Sequence, residues 1–381
     1  VNVNIKNPSL ALQTQRKLLS DSTEYIKELM VMQEMQQPKK TFLLNRGQYD
    51  APAKQVFPNT PEKILPFPSQ LPKNRYGLAQ WLTDARNPLT ARVAVNHLWQ
   101  NFFSRGLVKT AEDFGNQGEM PSHLDLLDWL AIELRDNNWD IKKLNKLIVM
   151  SATYQQDSKA SPLLNEKDPE NKLLARGPSM RLSAEMIRDN ALTASGLLNK
   201  KLGGKSVYPY QPEGLWEING TKYNQDTTDQ VYRRSLYIVL KRTVPNPTLA
   251  NFDGPTRASC LVRRQSTNTP LQALVTLNDP TFIEAAKVIG ESITKQQNTT
   301  AAIGLAYRQL TGITPTSKQI ALLSALQQTE YNKFKANPTK IKGWINAGLY
   351  KINTTLDPYW VAANSIVAST ILNSDATITK R

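Results

Sequence analysis

The sequence predicts a mainly α fold, a multi-helix array with a loop-rich middle that contains a few short β-strands. Apolar residues recur at i, i+3, i+4 and i+7 through both ends of the chain. Residues 208–264 lose that period and fill with turn residues and aromatics. No self-similar period of about 20 to 50 residues is visible, so a regular solenoid is not expected. At 381 residues and 40% hydrophobic content the chain can bury one large core or two modest ones.

Residues 10–36 read as a polar helix that ends in Met30-Val31-Met32-Gln33-Glu34-Met35, methionines expected to pack, and is stopped by Pro38. Thr41-Phe42-Leu43-Leu44 is strand-like, and the prolines at 52, 58, 61, 66, 68 and 72 predict an extended wrap or linker. Leu78, Trp81 and Leu82, then Val95, Leu98, Trp99 and Phe102, mark two helices joined near Asn87-Pro88. Leu124, Leu127, Leu130, Ala131 and Leu134 mark a third, ended by Asn137-Asn138, and Leu144, Leu147 and Ile148 a fourth.

A polar connection over 158–178 leads to a helix over 184–199, with Ser183 as N-cap, Glu185 in the first turn and Gly203-Gly204 closing it. The irregular middle holds one predicted strand, 235–240. Helices follow near 270–278, 280–295, 300–311, 316–333, 340–352 and 358–373, separated by Asp279-Pro280, Pro315, Pro338 and Asp357-Pro358. The organisation is thus a helical first half (75–200), a loop-rich basic middle (201–269) and a helical bundle (270–375).

With 47 Lys+Arg against 32 Asp+Glu, the net charge of +15 favours anionic partners: nucleic acid, sulfated or uronic glycans, or an acidic protein surface. Nucleic acid ranks last, because the cations are dispersed and no recognised nucleic-acid module is present. Cys260 stands alone, which excludes an internal disulfide and a cysteine zinc site. With only His97 and His123 there is no CxxCH haem attachment, so no cofactor is expected in this segment and haem only in a partner or upstream domain. No apolar run of about eighteen residues predicts a transmembrane segment. The start carries no secretory pattern and no Met, which suggests a mature product, a proteolytic piece or the C-terminal part of a longer polypeptide.

The densest polar cluster is Arg181, Glu185, Arg188 and Asp189, which on one helix would share a face through i,i+3 and i,i+4 spacing. It reads as a structural ion-pair network or as a site, and a carboxylate among arginines stays ionised. A second cluster, Arg233, Arg234, Lys241, Arg242, Arg263 and Arg264, offers forks for carboxylate, sulfate or phosphate, or internal pairs for Asp253, Asp189 and Glu185. In Thr267-Asn268-Thr269-Pro270 the Thr before Pro is an N-cap arrangement, and Asn268 and Gln272 add amides that suit a sugar hydroxyl or buried backbone equally.

Asp113-Phe114-Gly115 matches a kinase triplet, but no Gly-rich loop or lysine strand accompanies it. Asp113 and His123 are a minor candidate metal pair, against a hydrogen-bonded helix cap. Neither His lies in a GxSxG context, and Cys260 reads as a buried thiol rather than a nucleophile. Tyr210-Gln211-Pro212-Glu213-Gly214-Leu215-Trp216 and Asp357-Pro358-Tyr359-Trp360 resemble sugar-binding platforms, with Trp216 the better ligand candidate and Trp360 expected in the core.

Several words are more specific than their composition: Leu78-Ala79-Gln80-Trp81-Leu82, Asn87-Pro88-Leu89-Thr90-Ala91-Arg92-Val93, Val95-Asn96, Leu98-Trp99-Gln100, Gly106-Leu107-Val108 and Asp113-Phe114-Gly115. Pro121-Ser122-His123, Leu126-Leu127-Asp128-Trp129-Leu130-Ala131, Ser151-Ala152-Thr153-Tyr154 and Ala184-Glu185-Met186-Ile187-Arg188-Asp189 follow. Arg233-Arg234-Ser235-Leu236-Tyr237, Lys241-Arg242-Thr243 and Thr267-Asn268-Thr269-Pro270-Leu271-Gln272-Ala273-Leu274 complete the set.

Over roughly residues 41–375 these words resemble the C-terminal domain of planctomycete-type surface proteins, the DUF1553 or PSD1 family, which has no assigned activity. The family usually has a basic residue in place of His97, a His in place of Asn101 and an Arg in place of Met180. The resemblance implies an exported protein, periplasmic or at the cell surface. It also implies an upstream DUF1549-like domain, joined through residues 1–40 as a helical connector, and sometimes a cytochrome c or glycan-binding companion. The leading expectation is a binding or scaffold module for an anionic partner such as an acidic or sulfated polysaccharide. The alternatives are a polysaccharide-active enzyme using Glu185, Asp189 and Asp253, and a subunit of a cytochrome-containing assembly.

Overall fold

The computed structural model describes residues 9–23, 30–217 and 220–380. The fold is mainly α: fifteen α-helical segments occur among these residues, with two small two-stranded sheets. The chain forms two compact units, Val1–Thr90 and Ala91–Arg381. No helix among the described residues is long and apolar enough to cross a membrane.

The first unit contains α1 (Leu10–Thr23), β1 (Thr41–Leu44), β2 (Pro52–Val56) and α2 (Arg75–Leu82). The helix expected over 10–36 is therefore shorter; residues 24–29 lie outside the described ones, and 30–40 carry no helix. Met30, Met32 and Met35 are exposed rather than packed, although Arg75 reaches Met32 Sδ at 3.1 Å and Glu34 at 2.9 Å. The proline-rich stretch supplies a strand after all, antiparallel to β1 with Thr41 opposite Val56. Pro52 is tolerated because it occupies the first strand position, where its missing N–H disturbs the ladder least. Asn74 caps α2 through Gly77 N (3.1 Å), and Trp81 Nε1 donates to Leu65 O (2.8 Å).

The second unit opens with α3 (Thr90–Phe103), α4 (Leu124–Asp136) and α5 (Ile141–Val149), around Val95, Trp99, Phe103, Leu127, Leu130, Leu134, Leu144 and Ile148. Trp99 and Phe103, one turn apart, stack at 4.1 Å. Arg92 and Asp128 lock α3 to α4 through two bonds of 2.5 and 2.9 Å. The polar connection holds an unanticipated short helix, α6 (Pro162–Lys167), set by Ser161 as N-cap and Pro162 at N1.

Next come β3 (Met180–Arg181), α7 (Ala184–Ser195), α8 (Pro247–Asn251), α9 (Pro270–Asn278), α10 (Pro280–Thr294), α11 (Thr299–Thr311), α12 (Ser317–Ala336), α13 (Lys342–Ile345), α14 (Pro358–Leu372), α15 (Asp375–Ile378) and β4 (Thr379–Lys380). The main core lies where α7, α10, α11 and α14 meet, with Phe282, Ile289, Ile293, Ile303, Val367 and Ile371 sealed inside. Each such side chain contributes about 2 to 3 kcal/mol of burial. Gly290 sets the α10–α14 spacing, since a Cβ there would stand 2.6 Å from Ser365 N. β3 and β4 pair antiparallel, Met180 opposite Lys380.

Three expected elements differ. The helix after Ser183 ends at Ser195, because Gly196 takes φ 79° and returns its N–H to Thr193 O; Gly203-Gly204 lie beyond it in a loop. Residues 235–240 form no strand: Ser235–Tyr237 is one 3-10 turn, followed by an isolated bridge between Val207 and Ile238. At the start of this segment Arg188 takes Arg233 O and Asp189 takes Ser235 N, and beyond the turn Tyr237 O and Val239 N meet the single residue Val207, which makes a bridge and not a ladder. Over 340–352 the helix stops at Ile345, and the chain turns through Gly348 (φ 68°) to cover α10.

Candidate functional site

The α7 cluster is dispersed rather than shared. Because Ser183 starts the helix, Arg181 stands before it on β3, not on its face. Its guanidinium donates to Thr267 O, Gln272 Oε1 and Asn268 Oδ1. Glu185 pairs with Arg264 at 2.6 Å. Burial pushes the Glu185 carboxyl up, but the Arg264 hydrogen bond and charge outweigh it and hold the group below the usual range. Arg188 is 2% exposed and donates to Arg233 O (2.9 Å), Ser235 Oγ (3.2 Å) and Val231 O (2.5 Å). Asp189 accepts from Ser235 N (2.8 Å) and Oγ (2.7 Å). Arg188 and Asp189 thus fold the 231–235 segment onto α7.

The basic middle divides in the same way. Arg233 is buried and donates to the carbonyls of Lys201, Gly203 and Lys205, while its guanidinium covers the Tyr237 ring at 3.9 Å. Asp253 accepts from Thr267 N (2.7 Å) and Oγ1 (2.9 Å). Gln272, also buried, spends its amide on Asn251 O (2.9 Å) and Thr267 Oγ1 (3.2 Å), and Asn268 is exposed. Thr269 is the N-cap of α9 and Pro270 its first residue, as expected. Arg181, Asn268 and Gln272 border a small cavity of about 150 Å³.

Arg234 is half-buried and Arg242 exposed, and neither forms an ion pair among the described residues. Trp216 packs edge to face with Tyr208 (5.9 Å) and Tyr223 (5.0 Å), and Lys241 Nζ lies 4.5 Å from its ring centre. Tyr210 of the same word turns inward, its hydroxyl donating to Glu284 at 2.8 Å. Trp360 is half-buried against Tyr331 (3.9 Å).

Asp113 accepts from Gly115 N at 2.6 Å, and His123 Nδ1 lies 3.1 Å from Ser122 Oγ without capping α4 through its side chain. No group of three His, Cys, Asp or Glu side chains suited to a metal occurs among the described residues. Cys260 is exposed, contrary to the expected burial, because the whole 256–271 stretch runs over the surface.

A cleft of about 500 Å³ brings together residues that are far apart in sequence: Arg105, Lys109, Arg176 and Arg263, with Glu170, Gln100, Ser104, Asn165 and Asn171. Its walls follow from local chemistry. Asn96, fully buried, grips Val108 by N (2.8 Å) and O (3.0 Å), and Gly106 leaves room for that amide; Arg105 and Lys109 flank the gripped turn. Opposite, Asp168 accepts from Lys172 N (2.7 Å) and Leu173 N (2.8 Å). Arg176 donates to Asp168 O (3.0 Å) and Pro169 O (2.9 Å), so the 168–177 loop is braced with Asn171 at φ 51°. Arg263 reaches Glu112 at 3.0 Å.

Of the cleft cations only Arg263 was a sequence candidate. The signal for the others was faint: Arg105-Gly106 and Arg176-Gly177, arginines beside glycines whose Cβ would clash, Gly177 against Gln156 O. None of Glu185, Asp189 or Asp253 borders either cavity.

Fold and cleft together define a mainly α domain with a polar, cation-lined groove. The chain belongs to the PSD1 family, described as protein of unknown function (DUF1553), whose family model matches residues 74–327, about two thirds of its length. No curated protein and no solved structure matches it.

Proposed function

We propose that this domain is a binding module of an exported multidomain protein and that its cleft receives an acidic or sulfated polysaccharide. One observation carries the reading: four cationic side chains and several amides and hydroxyls border one open cleft of about 500 Å³. Guanidinium and ammonium groups favour carboxylate or sulfate, and amides suit sugar hydroxyls. The competing hydrolase reading needs two carboxyls flanking a substrate. Its candidates are instead engaged apart: Glu185 with Arg264, Asp189 with Ser235, Asp253 with Thr267. The upstream DUF1549-like domain and a cytochrome c partner rest on the family resemblance.

Calorimetry of the purified chain against a polyuronate, a sulfated dextran and neutral dextran tests this. Binding of the charged polymers, weakened by salt and by Lys109→Ala, is expected. No binding of either charged polymer at low salt overturns it, and release of new reducing ends would move the protein to the enzyme class.

A further inference from the structure

In the cleft, Arg105 and Lys109 hold one and the same carboxylate. Lys109 Nζ lies 2.9 and 3.1 Å from the two oxygens of Glu170, and Arg105 Nη1 donates to the second of them. The pair also shares Glu119, at 3.3 Å from Arg105 and 3.9 Å from Lys109. The cations belong to the wall: the Arg105 side chain is 19% exposed, and the turn between the two residues is clamped by Asn96. The carboxylates are more open: Glu170, which borders the cleft, is 53% exposed and Glu119 46%. Arg105 Nε is buried without an acceptor, so its fork is not saturated by these partners.

We infer that Arg105 and Lys109 form a seat for one anionic substituent of the ligand, that Glu170 occupies this seat in the free protein, and that binding exchanges Glu170 for the ligand's carboxylate or sulfate. The inference rests on the cleft being the binding site. Glu170 is half exposed, so water competes for its end of the ion pairs and the exchange is cheap, yet it discriminates: a neutral sugar cannot replace the anion it would displace. Glu170 is then a specificity-determining residue and limits the affinity of the free module.

The test measures Glu170→Gln, Arg105→Ala and Lys109→Ala against the polyuronate and the sulfated dextran at one ionic strength. Glu170→Gln is expected to tighten binding by about two- to fivefold, the equivalent of one exposed ion pair. Lys109→Ala, at a half-buried position, weakens binding without unfolding the chain and serves where Arg105→Ala folds poorly. The probe that tightens identifies the seated group as carboxylate or sulfate. Unchanged or weaker binding by Glu170→Gln, while Lys109→Ala loses affinity, overturns the exchange and leaves the cleft reading standing. Wild-type affinity in both cation variants overturns the cleft itself.

Discussion

On α10, Glu284, Lys287 and Glu291 are almost wholly sealed from solvent, whereas the cleft cations Arg105, Lys109 and Arg263 keep side-chain exposures of 19%, 37% and 49%. Burial forces saturation. Glu284 accepts from the hydroxyls of Tyr210 and Tyr232, both at 2.8 Å, and from Tyr350 N at 2.6 Å. Lys287 donates to Ala347 O and Tyr350 O. These charges bind the 347–350 loop and the Tyr210 segment to the core, and they have nothing left to offer a ligand. Arg105, Lys109 and Arg263 are held by carboxylates that water already reaches, so those partners can be exchanged, whereas Arg176 braces its own loop. The contrast separates charge used for folding from charge available for recognition.

The largest effect tests the buried side. Glu284→Ala leaves two phenols and an amide without their acceptor and removes a nearby opposite charge from buried Lys287, and a stability loss of about 3 to 5 kcal/mol is expected in urea unfolding. Gly348→Ala should cost several kcal/mol as well, because φ 68° disfavours a side chain and its Cβ would overlap the Glu284 carboxylate. A loss below about 1 kcal/mol in Glu284→Ala would remove the distinction between the two regions.

Asn96→Ala should cost about 2 to 3 kcal/mol, since it orphans both backbone groups of Val108 inside the core. Unlike the Glu284 change, it should also weaken acidic-polymer binding, because the turn carrying Arg105 and Lys109 loses its clamp. Melting and calorimetry on one preparation separate the two effects.

Helix-forming words were legible because their causes are local: Ser183, Thr269-Pro270 and Asp357-Pro358 set helix starts that need no tertiary partner. The strand predicted over 235–240 is absent because the partners of its backbone are distant in sequence: Asp189 at its start and Val207 in its middle. The α10 charges resemble a solvated face at i, i+3 and i+7. Yet Phe282, Ile283, Ala285, Ala286, Val288 and Ile289 leave little polar surface around them, which was the available sign that the charges point inward. The cleft was illegible because Arg105, Glu170 and Arg263 meet only in the folded chain.

Alkaline titration sharpens the buried side further. Burial, and then the bond to Glu284, raise the Tyr210 and Tyr232 hydroxyls above the usual phenol range. Groups raised on folding stabilise fully below the unfolded value of about 10 and lose that contribution as pH climbs toward the folded value. Burial lowers Lys287, which has the opposite sign and offsets part of the loss. Urea midpoints should therefore fall above about pH 10, and Tyr210→Phe should flatten that fall. An equal slope in Tyr210→Phe and wild type would detach Tyr210 from the effect.

The smallest effect belongs to the cleft rim. Arg263 and Glu112 are both about half exposed at 3.0 Å, so screening leaves their pair at most about 1 kcal/mol, and Glu112→Gln should melt within a degree or two of wild type. What that variant should change is recognition: Arg263 loses its competing carboxylate and becomes available to an anionic polymer, so affinity rises slightly while stability stays put. If Glu112→Gln instead destabilises the chain as Asn96→Ala does, Arg263 belongs with the folding charges, and the cleft loses one of its four cations.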